Sequence, residues 1–425
     1  MKVNVAMLGI GNVGTGVYKT LLENKNIIQH RDDVEFNISK IMVRSLDKAR
    51  DQSIPQEILT SDFNDILNDD SITLAVELMG SVEPTLSYVT QLLKKGVSVV
   101  SANKDMISQH WPLLEACAKE GKSGLYYEAS VGGGIPVIKT FIDSLQSNKI
   151  EKICAIINGT TNYILTKMSE EGLSFEEVLK DAQDKGLAEP DPTSDIEGYD
   201  AKYKLSILSS LAFHCKIPVS EIYCEGISGI KVDDIIYGKE FGYTIKLLAI
   251  GKRKGKDIEV RVHPAFIPER HPLASVRDAY NAVFIEGNAV GKLMLYGKGA
   301  GASPTASAII SDMVVASQTE KHKYTTFENT ENASDKINFV DNWLGEYYVR
   351  LTVPDKPGVL ASVAAIFAKH NISLESLVQK SKGHVEVPII FITHTAREKD
   401  IKHALQEMKD TNAIVDIDSL IRVEH

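Results

Sequence analysis

Cysteine is scarce in this sequence. Cys117, Cys154, Cys215 and Cys224 are the only four in 425 residues, and no two stand in C-x-x-C spacing. So few and so scattered, they cannot staple a chain of this length or build a zinc knuckle; buried free thiols in a reducing cytoplasm are the expected state. The 11 histidines contain no H-E-x-x-H and no other ligand cluster, which argues against a catalytic divalent metal. No apolar run approaches the length of a membrane span. "MKVNVAMLGIG" passes from one lysine into a strand-like stretch with no small-residue cleavage site, so no signal peptide is read there. Basic excess is also missing: 47 Lys and Arg against 57 Asp and Glu give a net charge of −10, against a general nucleic-acid binder or a protein held to anionic membranes. Internal repeats and low-complexity segments are absent. What remains is a cytoplasmic globular chain with length for about three domains.

What is present is ordered along the chain. Val3–Leu8 is a short apolar strand, followed at once by "GIGNVG" and a helical spacing of Val13, Val17, Leu21 and Leu22. Phe36–Val43, Ala75–Leu78, Val97–Ser101 and Gly124–Ala129 read as further strands, with a helix over Pro84–Lys95. Strands alternating with helices predict an α/β fold with a Rossmann-type, doubly wound parallel sheet over residues 1–130. The pattern then changes. A strand at Lys152–Ile157 leads into "NGTTNYILTKM", a turn and a helix, and "EVRVHPAFIP", "NAVFIEG" and "GKLMLYG" read as strands of an α+β domain over 131–297. The Gly-rich turn and long apolar helix of "GKGAGASPTASAIISDMVVA" are expected to return the chain to the first domain, completing it with about residues 298–318. Residues 319–344 are polar and nearly unpatterned, as in a linker. Residues 345–425 read strand, helix, strand, strand, helix, strand, a ferredoxin-like module.

The candidate cofactor end is Gly9–Gly14. A strand before and a helix after give G-x-G-x-x-G the context it needs, since its glycines permit a tight turn and the approach of a pyrophosphate to a helix N-terminus; a Gly-rich turn without a ligand is the plainer alternative. At the end of the second strand, where an NAD-selective site usually carries an acid, stands Arg44, with Lys48 and Arg50 close behind. A guanidinium suits a 2′-phosphate, so NADP(H) is favoured and NAD(H) stays possible. An exposed basic turn would have the same sequence.

The candidate chemical end is "GLAEPDPTSDIEGYDAKYKLSILSS", an acidic Pro-rich loop that turns into a helix at Tyr199. On that helix Ala201, Leu205, Leu208 and Ala212 form an apolar stripe, with Ile207 and Leu211 beside it. Lys204 falls within the arc, Lys202, Ser206 and Ser209 outside it, and Asp200 one turn before Lys204 can reach its ammonium. A snorkelling surface pair has the same spacing; the preceding carboxylates tip the reading towards a cationic substrate and a proton donor. Lys104 in "SANKDM" follows a buried-type strand at its C-terminal end, where open parallel sheets bind ligands. The "NGTTNY" turn can hold a carboxylate with its N–H groups, can be N-capped by Thr160 or Thr161, or both.

These segments carry a resemblance. "GIGNVG", "SANKDM", "YEASVGGGIPVI", "INGTTNYIL", "GLAEPDPTSDIEGYDAKYKLSIL", "VRVHP" and "GAGASPTASAI" together make the chain similar to homoserine dehydrogenase over its whole length, in the form with a C-terminal ACT domain. The resemblance implies reversible NAD(P)H-dependent reduction of L-aspartate 4-semialdehyde to L-homoserine, on the route to threonine, methionine and isoleucine, with 131–297 as the catalytic and dimerisation domain and 345–425 as a regulatory ACT domain. By it, Lys104 and Lys204 are the catalytic pair, and Glu189, Asp195, Asp200, Gly159 and Thr160 bind substrate. Cofactor contacts fall to Gly9, Gly11, Asn12, Val13 and Gly14, to Arg44, to Ala102, Asn103 and Lys104, and to Gly299 and Ala300, although a purely structural turn fits "GKGAG" equally well. A structural, sodium-like monovalent ion is implied on backbone oxygens of Glu128, Val131, Gly133 and Ile135, where a Gly-rich hinge is the alternative. Asp355 and Gly358 in "VPDKPGVL" are the implied effector residues, L-threonine the implied effector, and a homodimer or homotetramer the implied assembly; an ACT domain kept for assembly alone competes with that reading. A kinase-fused form is not expected at this length. Two rivals remain: a dehydrogenase for a related amino-acid aldehyde, which would not need "AEPDPTSDIEGYD", and a non-catalytic sensor, which would not need Lys204.

Overall fold

The computed structural model describes residues 1–48, 50–328, 337–379, 385–411 and 413–425. Much of the stretch read as a linker, 329–336, lies outside the described residues. The strands, in chain order, are β1 (Lys2–Leu8), β2 (Glu35–Met42), β3 (Leu59–Thr60), β4 (Ile72–Glu77), β5 (Ser98–Ser101), β6 (Leu125–Tyr126), β7 (Ile150–Ile156), β8 (Tyr223–Cys224) and β9 (Tyr243–Lys254). They continue with β10 (Asp257–Pro268), β11 (Tyr280–Gly287), β12 (Gly291–Lys298), β13 (Asn338–Phe339), β14 (Leu344–Pro354), β15 (Leu374–Gln379), β16 (Glu386–Thr393), β17 (Ala396–Arg397) and β18 (Asp416–Val423). The chain divides into two compact units: residues 1–157, 200–222 and 280–337 in the first, residues 158–199, 223–279 and 338–425 in the second.

In the first unit, parallel strands run in the order β3-β2-β1-β4-β5-β6, the doubly wound order. Val5, Met7, Leu74 and Val76 are buried because helices cover a parallel sheet on both faces. Helix Ala302–Gln318 supplies Ala306, Ile309 and Met313 to the same core as Val17 and Leu21 of helix Asn12–Glu23. Antiparallel β7, β11 and β12 belong to this unit too. Residues 319–328 are not loose: Phe327 meets Trp111 edge-on at 5.1 Å, and the Tyr324 hydroxyl donates to the Ala118 carbonyl at 3.3 Å.

The second unit is built on β9 and β10, a twelve-residue antiparallel pair. The sequence reading contained no strand at β9; "LLAI" is a continuous apolar run without the alternation that marks a strand. In the tail, β14, β15, β16 and β18 form an antiparallel sheet in the order β18-β14-β16-β15, with helices Val359–Lys369 and Glu398–Asp410 packed on it through Val363, Phe367, Ile401 and Leu405. This is the ferredoxin-like module. It shares a sheet with β10, since β18 pairs with it in parallel at Ala265–Arg422 and Phe266–Val423.

Buried ion pairs seal that joint. Arg350 Nε lies 2.7 Å from Asp234 Oδ1, which also accepts the Tyr348 hydroxyl at 3.0 Å. The Arg422 guanidinium donates to Glu398 at 2.6 Å, to the Tyr223 hydroxyl at 3.0 Å and to Glu225. Burial alone would raise the Glu398 carboxyl, but Arg422 and then Lys402 hold it down at about 2. Arg261, fully buried, pairs with Glu424 and with Glu259. Beside them His263 is pushed down to about 3, by burial first and by Arg422 and Arg261 second.

Candidate active site

The cofactor turn is shaped by glycine. Gly9 adopts φ +102°, donates its N–H to the Met42 carbonyl at 3.1 Å, and would bring a Cβ to 2.9 Å from the Leu78 carbonyl oxygen. A Cβ at Gly14 would lie 2.9 Å from the Gly9 carbonyl oxygen, whereas one at Gly11 would meet nothing within 4 Å. Gly11 therefore leaves open space at the start of helix Asn12–Glu23, whose first residues are Asn12 and Val13, and that opening suits a pyrophosphate. Arg44, two residues beyond β2, is exposed. Arg50 is taken up by the loop itself, donating to the carbonyls of Ser45, Leu46 and Lys48.

A residue that the sequence reading passed over organises the next strand ends. Glu77, inside a segment read simply as strand, is fully buried at the end of β4. Its carboxylate accepts Met79 N–H at 2.7 Å and the Ser101 hydroxyl at 2.6 Å. Burial pushes this carboxyl up; the hydrogen bonds oppose that. Ser101 Oγ in turn accepts Asn103 N–H at 3.0 Å, and Asn103 Oδ1 caps helix Lys104–Gly121 by accepting Met106 N–H at 3.0 Å. Ala102 and Asn103 are thus fixed at the strand's end, with Lys104 as the helix's first residue. An acid at the end of an otherwise apolar strand was the available signal.

Lys104 and Lys204 meet at one carboxylate. Asp200 Oδ2 lies 2.6 Å from Lys204 Nζ and Asp200 Oδ1 lies 3.4 Å from Lys104 Nζ. Lys204 Nζ also donates to the Ile157 carbonyl at 2.9 Å. The side chains of Lys204, Asp200 and Lys104 are 14%, 10% and 28% exposed, so the cluster is recessed but reachable. The helix reading from Tyr199 needs one correction: Ser206 and Ser209, placed outside the apolar arc, are both fully buried. Ser206 donates to the Ile217 carbonyl at 2.6 Å, and from Leu205 on this helix is enclosed on every side. It lies in the first unit, with the dinucleotide sheet.

In the second unit the "NGTT" turn is capped by Asn158 rather than by Thr160 or Thr161. Asn158 Oδ1 accepts Thr161 N–H at 2.8 Å, and its Nδ2 donates to Asp195 at 2.7 Å. Asparagine offers an acceptor and a donor at once, which threonine's single hydroxyl does not match in reach. Gly159 opens helix Gly159–Glu171, and Thr160 donates to the Leu187 carbonyl at 2.8 Å. Glu189 stands exposed in the acidic loop, where Gln183 holds its carbonyl at 3.2 Å. The loop's far end is pinned by Ile227 N–H on the Ile196 carbonyl at 2.8 Å.

Two glycine turns of the first unit cross. A Cβ at Gly133, φ +55°, would come to 2.5 Å from the Gly299 carbonyl and 2.8 Å from Ala300 N. Nearby, the Glu128 carboxylate accepts Ile138 and Lys139 N–H, each at 2.8 Å; burial first, with Asp312 adding, pushes it up to about 7. The carbonyls of Glu128 and Ile135 accept Val131 and Val137 N–H at 3.5 and 2.8 Å. No group of three or more His, Cys, Asp or Glu side chains suited to a metal ion occurs among the described residues. In the tail, Asp355 is exposed and its N–H reaches the Val385 carbonyl at 3.0 Å; Gly358, φ +93°, begins helix Val359–Lys369 with open space where a Cβ would be. No helix among the described residues is long and apolar enough to cross a membrane.

Comparison with known proteins is consistent along the chain. Residues 9–128 match the family model "Homoserine dehydrogenase, NAD binding domain", residues 136–314 match "Homoserine dehydrogenase", and residues 347–412 match "ACT domain". The homoserine dehydrogenase of Bacillus subtilis (strain 168) is 38% identical over 426 residues, covering 99% of this chain and 98% of that protein. The crystal structure of a homoserine dehydrogenase from Thiobacillus denitrificans superimposes with a TM-score of 0.91 at 37% identity, over 100% of this chain and 98% of the other. A hyperthermophilic archaeal homoserine dehydrogenase in complex with NADPH superimposes with a TM-score of 0.64 at 27% identity, over 75% of this chain and 98% of the other.

Proposed function

Given that the chain belongs to the homoserine dehydrogenase family, and so catalyses the reversible NAD(P)H-dependent reduction of L-aspartate 4-semialdehyde to L-homoserine, we propose how its residues divide that task. The observation that carries the proposal is the Asp200 carboxylate set between Lys104 and Lys204. Reduction builds negative charge on the aldehyde oxygen. The Lys204 ammonium, held in place by Asp200 and the Ile157 carbonyl, stabilises that charge and delivers the proton. In the reverse direction the same nitrogen receives the hydroxyl proton of homoserine. Lys104 adds positive charge and orients the substrate. Glu189 and Asp195 serve the substrate's ammonium, and the turn at Gly159 and Thr160 serves its carboxylate. Hydride chemistry belongs to the nicotinamide when it is bound.

NADP(H) is the preferred cofactor in this reading, with NAD(H) as the weaker one. Arg44, exposed beyond β2 where an acid would favour NAD, supports it. Gly9, Gly11, Asn12, Val13 and Gly14 hold the pyrophosphate, and Ala102, Asn103, Gly299 and Ala300 line the nicotinamide side. A structural monovalent cation at Glu128, Val131, Gly133 and Ile135 fits the buried carboxyl of Glu128, whose upward shift a nearby positive charge would reverse. The enzyme works in the cytoplasm as a homodimer or homotetramer, and the tail binds L-threonine at Asp355 and Gly358.

The test is oxidation of L-homoserine followed at the nicotinamide absorbance, with NADP and NAD compared and with a chelator present. The expected result is a higher kcat/KM with NADP and no loss in chelator, because the lysines supply the positive charge. Activity that disappears in chelator and returns with zinc would contradict the assignment.

A further inference from the structure

The second unit holds a basin of about 390 Å3 that none of the roles above uses. Its floor is Lys246 on β9, only 3% exposed. Lys246 Nζ donates to Asn162 Oδ1 at 3.0 Å and to the Val276 carbonyl at 2.5 Å. Both acceptors are neutral. No carboxylate of the described residues lies within 4.0 Å of this nitrogen, and its third donor has no acceptor among them. Burial pushes the ammonium down to about 8, with Arg277 adding to the effect and the more distant carboxylates of Glu170 and Asp278 opposing it. A buried cation without a carboxylate in direct contact is costly, and a purely structural position would be better filled by an apolar side chain. It contrasts with Lys204, which has its carboxylate at 2.6 Å.

The walls suit a small anion. Arg277 stands exposed at the rim, where it pairs with Glu170 at 3.3 Å. Thr166, Ser169 and Ser275 contribute hydroxyls. The lining carries three cationic side chains, Lys239, Lys246 and Arg277, and two carboxylates, Glu170 and Glu269, with the Asp278 carboxylate acting on Lys246 from outside it. That excess suits a single carboxylate, and the two glutamates repel a phosphate dianion. The volume lies at the small end of the range for small-molecule sites.

We propose that this basin is a second ligand site, which takes a small carboxylate on Lys246 at its floor and Arg277 at its rim. The carboxylate belongs either to an amino acid or to a hydroxy acid. Occupancy reaches the substrate turn by a short path: Asn162, which accepts from Lys246, donates its backbone N–H to the Asn158 carbonyl at 3.3 Å, one helical turn away. A ligand that draws on the Lys246 ammonium therefore acts at the helix whose cap holds Asp195.

The experiment is a ligand-observed NMR titration of the full chain with L-serine, L-lactate and inorganic phosphate, in which Arg277→Ala tells binding in the basin from binding elsewhere on the chain. Serine or lactate should bind saturably and phosphate more weakly; the tighter of the first two identifies the ligand class. Arg277→Ala, at an exposed position that leaves the fold intact, should weaken binding several-fold. Lys246→Met should weaken it about tenfold or more, the usual effect of losing one charged hydrogen-bonding partner. No binding to the wild-type chain, tighter binding of phosphate, or binding unchanged in Arg277→Ala would each overturn the proposal. L-Homoserine oxidation in the same variants separates this result from the catalytic assignment, which requires turnover to persist in Arg277→Ala.

Discussion

Two clusters of recessed charge answer different demands. In the first unit Lys104, Asp200 and Lys204 keep 28%, 10% and 14% of their side chains exposed, and one carboxylate serves two lysines. In the second unit Arg422 and Glu398 are each 2% exposed, and Asp234, with no exposure at all, takes Arg350 and Tyr348 together. The second cluster is closed to solvent and fixes how β10, β14 and β18 pack. The first is open enough for a substrate to approach and for a proton to move. On the proposed assignment, burial of charge does not by itself mark a catalytic site; reach does.

The comparison can be broken first by removing the tail. From sequence alone, a chain cut near Thr330, a residue outside the described ones, would keep catalysis and lose only a threonine response. In the structure such a cut strips Arg350 and Tyr348 from Asp234, Arg422 from Glu225, and Glu424 from Arg261. We expect the shortened chain to aggregate or unfold and lose activity, as judged by thermal unfolding and turnover. A smaller version is Asp234→Ala. It leaves buried Arg350 with only the longer contact to Asp418 at 3.7 Å and should cost about 3 kcal/mol in urea unfolding, well above the cost of Lys204→Ala measured in the same way. Arg44→Ala tests a charge that faces solvent instead. It should weaken NADP by about 1.5–3 kcal/mol and NAD far less, measured by fluorescence titration, because only NADP carries the 2′-phosphate; equal weakening would reduce Arg44 to a support for its loop.

The smallest effect expected, counted per pH unit, is with pH. His263 has a folded pKa near 3, below its unfolded value of about 6.5, so its contribution is intact above pH 6.5 and declines as acid protonates the unfolded chain. Glu398, at about 2, adds a second loss as pH falls below about 4.5 towards 2. Stability should decline by at most about 1.4 kcal/mol per pH unit for each group as its window is crossed. His263→Gln should flatten the upper window and leave the lower one.

Much of this was legible in the sequence because the signals are local. The G-x-G-x-x-G turn needs only its neighbouring strand and helix, and Asp200 and Lys204 are one helical turn apart. The tail's order of elements is periodic enough to read directly. What was missed depends on distant partners. Glu77 looks like an ordinary strand residue until Ser101 is placed beside it. Ser206 and Ser209 look like a solvent face until the rest of the unit encloses their helix. The capping of "NGTT" by Asn158 depends on Asp195, thirty-seven residues later, which takes its other end. The strand β9 escaped because its apolar run carries no alternation, and the fusion of the tail to β10 because two paired residues at the end of β18 leave no trace in composition.

One measurement bears most directly on the central claim, that Lys204 is the proton-handling group: kcat for L-homoserine oxidation in Lys204→Ala beside Lys202→Ala, two residues apart on one helix. The account predicts a loss of about 100-fold or more at Lys204, the scale of a positioned acid–base group, with cofactor binding retained, and little change at Lys202. Equal losses at the two positions, or a Lys204→Ala enzyme that turns over at the wild-type rate, would contradict it.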